Sequence, residues 1–262
     1  MKKSENTGQK KKYRELRSNI IPVFVMALLV LLWQAAVDLF RIQPFILPGP
    51  IKVFKALYDE RSLLLTHTLV TMREAFTGFG IAIVLGIIFG LLMGYFKYVR
   101  MALYPIFVIS QTIPLIILAP LFAIWFGFGF LPKVLIVVLM CFFPITVTFT
   151  QDLIKSDEDM DNILKVMGAS KWKSFRLARI PQALHGLFSG IKIAVTYSIT
   201  GAVISEWVGA KEGLGIYMTR AMTSFRTAVL FADVAIIVVV SLVLYRLVEI
   251  VENKFIKNID YF

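Results

Sequence analysis

The residues of this sequence best suited to chemistry are hydrogen-bonding side chains set among apolar ones. Thr196, Tyr197, Ser198, Thr200 and Ser205 crowd one stretch that ends at Glu206 and Trp207. Thr196 and Thr200 stand one helical turn apart and share a face, where their hydroxyls can bond a passing solute or a neighbouring helix. Gln111 and Thr112 lie among Pro105, Pro114 and Pro120, and proline frees backbone carbonyls that must find partners in protein or trapped water. The candidates for lining a pathway are therefore Gln111, Thr112, Thr196, Tyr197, Thr200, Glu206 and Trp207. Trp207 also suits an interfacial anchor, and Glu206 is expected close enough to an interface to be hydrated. No set of residues reads as catalytic. There is no G-x-x-x-x-G-K-[ST], so ATP phosphates are not expected to bind here, and Gly213–Leu214–Gly215 lacks the strand and helix of a dinucleotide fingerprint. No carboxylate pair, metal cluster or nucleophile–base set stands out, and His67 and His185 are isolated. The single cysteine, Cys141, sits in an apolar run, which excludes an intrachain disulfide and a thiolate cluster. No catalytic residue, metal ligand or cofactor is assigned to this chain.

The elements that must hold these residues are membrane helices. Of 262 residues 58% are hydrophobic and 17% charged, with a mean hydropathy of +0.77, against about 45–50% and 25% in soluble domains. Apolar windows fall at Asn19–Phe40, His67–Tyr95, Met101–Phe126, Leu131–Gln151, Ala183–Glu206 and Ala228–Val251, each near the roughly 20 residues a spanning helix needs. The expected fold is an all-α membrane protein with six transmembrane helices, residues 19–262, preceded by a polar, Lys-rich, mobile tail, residues 1–18. The first apolar run is of spanning length without a small-residue cleavage pattern, so no cleavable signal peptide is expected.

Six spans place both termini on one side, and on that side lie 17 Lys and Arg against 8 on the other. Lys and Arg are retained in the cytoplasm, so both termini are expected there. This bias accounts for the net charge of +11 without nucleic acid. Arg73, Lys192 and Arg246 fall inside spans, where a charge costs roughly 2.5–3.5 kcal/mol; Lys192 and Arg246 lie within snorkelling reach of an interface. Gly78, Ala82, Gly86, Gly90 and Gly94 recur every four residues, a row of small side chains that admits a second helix from this chain or from another copy.

The loop at about 152–182 carries the clearest signal. Ser156 with Asp159 fits a capping box, and Met160, Ile163, Leu164 and Met167 follow as an apolar stripe. Gly168 supplies a helix stop, Ala169 and Ser170 the turn and a new N-cap, and Trp172, Phe175 and Arg179 a second short helix closed by Pro181. A helix-turn-helix with its apolar stripe in the cytoplasm needs cover, from a partner protein or from its own spans. DNA is the third option, opposed by the membrane on both flanks and the acidic first helix.

These residues resemble the permease subunits of binding-protein-dependent ATP-binding-cassette (ABC) importers, whose cytoplasmic loop reads E-A-A-x-x-x-G-x(9)-I-x-L-P. Gly168 matches the glycine, Ile180 the leucine and Pro181 the proline; Asn162, Ile163 and Leu164 replace E-A-A and Ala178 the isoleucine. Gly168–Leu184, Ile113–Gly129 and Ile204–Gly215 are similar to the branch serving nitrate, sulfonate, taurine and thiamine-precursor pyrimidines. The resemblance implies a type I importer permease in a bacterial cytoplasmic (inner) membrane, working as a homodimer with its pathway at the dimer axis. It also implies an ATPase dimer, holding ATP and magnesium, that grips the hairpin, and an external solute-binding protein. The coupling residues are then Met160, Ile163, Leu164, Met167, Gly168, Ala169, Ser170, Trp172, Phe175 and Pro181. The rival, a self-contained secondary transporter or channel, needs coupling-ion carboxylates or a selectivity ring at mid-membrane, and the sequence offers neither.

Overall fold

The computed structural model describes residues 2–155, 163–164 and 166–257, with side chains between 21 and 255. Met160 and the capping box of Ser156 and Asp159 lie outside the described residues. Among the described residues every element is helical: α1 Lys2–Leu39, α2 Pro50–Asp59, α3 Arg61–Tyr95, α4 Lys97–Ser110, α5 Leu115–Phe126 and α6 Phe130–Ile154. After the loop come α7 Lys171–Ser174, a π turn Phe175–Arg179, α8 Ile180–Glu206, α9 Leu214–Thr223 and α10 Thr227–Lys257. α1, α3, α6, α8 and α10 are long and apolar enough to cross a membrane, and α4 with α5 are so only when taken together as a bent pair.

The third apolar window, expected as one kinked helix, is two helices bent by 97°. Pro105 and Pro120 ride inside α4 and α5, so proline alone does not break the chain. At Pro114 the ring disfavours helical backbone at Ile113, and the Thr112 hydroxyl donates to Ile109 O at 2.7 Å, satisfying a carbonyl that the helix end leaves free. The polar segment expected as a mobile tail is helical from Lys2 onward and continuous with the first span.

The chain divides into two compact units. In the first, Met1–Arg61 with Ala221–Ala232, Trp33 packs on Phe231 at 5.6 Å, Glu60 pairs with Arg226, and the Thr227 hydroxyl donates to Phe45 O at 2.7 Å. In the second, Ser62–Arg220 with Asp233–Phe262, α6 runs between α3 and α8. The small-residue row of α3 finds its partner in the same chain: Gly86 faces Ile145, Gly90 faces Phe149 and Gly94 faces Leu153, each so near that an added Cβ would lie 2.5–2.7 Å from the side chain. On the other side of α6, a Cβ at Gly190 would meet Ile145 Cα at 2.8 Å, and one at Gly201 would meet Met140 Sδ at 2.8 Å. Without Cβ atoms these backbones approach closely and gain packing and dispersion contact, which is what associates helices in lipid.

Candidate functional site

The loop between α6 and α8 turns as its sequence demands. Gly168 holds φ +78°, the left-handed region a helix stop requires, and Ala169 N donates to Leu164 O at 2.9 Å. The Ser170 hydroxyl accepts from Lys173 N at 3.3 Å as the new N-cap. The second helix is not closed by Pro181. It passes through the π turn, where Ile180 N donates to Phe175 O, straight into α8, with Pro181 in the first turn where no N–H is needed.

The apolar residues of the loop divide into two groups. Val166 and Met167 are 88% and 76% exposed, and Ile163, Trp172 and Leu177 are exposed by more than half. Phe175, expected in the contact surface, is only 4% exposed. Its ring lies 5.1 Å from that of Tyr95, the last residue of α3, while Trp172 sits 5.5 Å from Tyr95 and the Lys171 ammonium 4.9 Å over it. Tyr95, Val166 and Leu177 were missed by sequence reasoning. An aromatic at a span end reads as a membrane anchor, and only the fold turns Tyr95 towards the hairpin.

The pathway candidates also separate. The hydroxyls of Thr112, Thr196 and Thr200 each donate to a carbonyl of their own segment. Gln111 and Tyr197, by contrast, line one cavity of about 210 Å³ beside the α4–α5 break, with Ser110, Met140 and Phe143. Ser189, Ile193, Tyr197, Thr200 and Trp207 form an exposed stripe along α8.

Glu206 is a correction. Expected to be hydrated, it is 0% exposed. One oxygen accepts from the Thr71 hydroxyl at 2.7 Å and the other from Gly215 N at 2.6 Å. Thr71 Oγ1 accepts in turn from Leu214 N at 2.8 Å, and His67 Nδ1 from Gly213 N at 3.0 Å, with its ring stacked on Tyr217 at 4.8 Å. The segment 204–215 is thus bent round a buried carboxylate, and its backbone N–H groups are fixed by the first turns of α3. Gly213 (φ +126°) and Gly215 leave no room for a Cβ against Glu206 or Val203 O. Beside Glu206 lies Glu74, whose Oε1 accepts from the Lys133 ammonium at 2.6 Å. Glu74 and Lys133 also line a cleft of about 460 Å³ with Phe128, Phe130, Lys211 and Glu212. Sequence reasoning missed this carboxylate pair because its members lie on different spans, and it treated His67 as isolated.

The other intramembrane charges find partners. Lys192 pairs with Glu252 at 2.8 Å, Arg246 with Glu249 at 2.5 Å, and the Arg73 guanidinium stacks over Phe130 at 5.1 Å. Cys141 Sγ donates to Ala194 O at 3.1 Å, the role of a small buried residue. Asp233, which the sequence reading passed over, is 0% exposed and neither carboxylate oxygen bonds a described residue.

Residues 82–257 match the family described as "Binding-protein-dependent transport system inner membrane component". The chain is 36% identical to the formylaminopyrimidine transport permease protein ThiX of Halalkalibacterium halodurans over 88% of its own length and 93% of the relative's. It is 34% identical to the riboflavin transport system permease protein RibX of Chloroflexus aurantiacus, over 90% and 89%. A crystal structure of an amino acid ABC transporter with histidines superposes with a TM-score of 0.62 at 15% identity, covering 78% of this chain and 98% of that one, which shows the shared fold.

Proposed function

The chain belongs to the inner-membrane components of binding-protein-dependent ABC importers, as a multi-pass, non-catalytic translocation subunit, and from this we propose that its 163–181 hairpin is where the ATPase takes hold. The observation that carries the proposal is the bare strip of Ile163, Val166 and Met167, with Trp172 beside it. So much apolar surface facing water calls for a partner. Leu164, Gly168, Ala169 and Ser170 shape the turn; Phe175 and Pro181 tie it to α3 and α8. Met160 extends the strip in the sequence pattern. ATP and magnesium belong to the partner, and two copies of this chain form the pathway along the α8 stripe. Both termini face the cytoplasm, which agrees with the 17-to-8 distribution of Lys and Arg, and residues 1–18 form the cytoplasmic tail. The solute is a small molecule from the range its relatives serve.

Met167→Asp together with Val166→Asp tests the hairpin assignment, because both side chains are exposed and neither change disturbs packing. The variant should insert into membranes at the wild-type level but no longer co-purify with the ATPase. Undiminished co-purification would refute the assignment.

A further inference from the structure

We propose that the cavity beside the α4–α5 break is the solute subsite, and that it takes an uncharged, flat heteroaromatic molecule rather than an anion. This rests on the permease reading above and deepens it.

Among the hydroxyl and amide side chains singled out on α4, α8 and the break, Ser110, Thr112, Thr196 and Thr200 are committed to backbone carbonyls. The Gln111 amide and the Tyr197 hydroxyl bond no described residue, and both line the same cavity of about 210 Å³. An amide offers two donors and a carbonyl acceptor on one planar group, and a phenol adds a donor and an acceptor. That pattern complements the alternating ring nitrogens and amino groups at the edge of an aminopyrimidine. The rest of the wall suits the faces of such a ring: the Phe143 and Tyr197 rings and the Met140 thioether are polarisable surfaces against which flat π systems pack well.

The absence of charge among the lining residues decides the class. None of the side chains facing the cavity is Lys, Arg, His, Asp or Glu. Taking a sulfonate out of water without a cation or a full set of donors is costly. The start of α5 does reach the wall at Leu115, where the N–H groups of Leu115 and Ile116 lack helical partners while Ile117 N donates to Pro114 O. One helix end supplies only about half a positive charge, and no cationic side chain joins it there. Those N–H groups can donate equally to a ring nitrogen or a carbonyl of a neutral solute.

The test uses the full transporter in proteoliposomes, with Gln111→Cys and Tyr197→Cys made singly in a Cys141→Ala background. Alkylation by a small polar maleimide is followed with formylaminopyrimidine or methanesulfonate as the added probe. We expect both cysteines to react, formylaminopyrimidine to slow labelling at least about fivefold, and methanesulfonate to leave it unchanged. Protection by methanesulfonate alone would overturn the solute class. Reactive cysteines protected by neither probe would overturn the subsite while leaving an accessible pathway in place. Cysteines inert throughout would defeat the pathway reading as well. A second measurement covers misfolding: Gln111→Leu, checked for assembly with the ATPase, should raise the KM for formylaminopyrimidine uptake about tenfold, and an unchanged KM would overturn the proposal.

Discussion

Glu206 carries the largest consequence for a single side chain. Its carboxylate satisfies a hydroxyl and a backbone N–H that have no water to turn to, and an orphaned buried donor costs about 1–3 kcal/mol. Glu206→Ala should therefore free the 208–215 segment, read as faster cleavage there in limited proteolysis of the purified protein. Glu206→Gln, which keeps an acceptor for one of the two donors, should fall between wild type and Glu206→Ala. Equal cleavage of all three would mean that the segment is held by Thr71 and His67 alone. None of this was legible in the sequence, where Glu206 followed by Trp207 reads as the wet end of a span. Its partner Thr71 comes from a distant stretch, and no local spacing announces a carboxylate that folds its own loop back through Gly215.

Among the elements, the packing of α3 on α6 was half legible. The four-residue recurrence of Gly86, Gly90 and Gly94 marks a close helix contact, but the identity of the other helix lies in the sizes of Ile145, Phe149 and Leu153, which have no signature of their own. Gly90→Ala would place a Cβ 2.5 Å from Phe149 Cδ1, and overpacking of this kind costs typically about 1–3 kcal/mol. A lowered thermal midpoint is expected, recovered in part by Gly90→Ala with Phe149→Leu. Gly80→Ala, which meets nothing within 4 Å, should be neutral or mildly stabilising. A Gly90→Ala protein melting like the Gly80→Ala one would contradict the close contact. The stop at Gly168 and the N-cap at Ser170 were legible because stops and caps are local. The join at Pro181 was misread because a proline in a first helical turn and a proline after a last one look alike until the backbone is seen.

At the level of the complete molecule, six apolar windows, five of them single long helices, and the loop that breaks their pattern were visible from hydropathy alone. The bend between α4 and α5 was not, since Pro105, Pro114 and Pro120 look equivalent in the sequence and only the middle one lies in the break, as the N-cap of α5. The exposed stripe of α8 makes a prediction about assembly: Ile193→Cys in a Cys141→Ala background should give a disulfide-linked pair on mild oxidation of membranes. Only monomer under those conditions would mean that the stripe faces lipid. The π turn at Phe175–Arg179 ties this stripe to the hairpin with one residue more than an α-helical turn would contain. If that surplus residue were drawn into ordinary α geometry, everything beyond it would rotate by about 100°. Such a rotation would pull Gly190 and Gly201 off α6 and Glu206 off its donors, so the surplus residue fixes the register at which the hairpin joins α8.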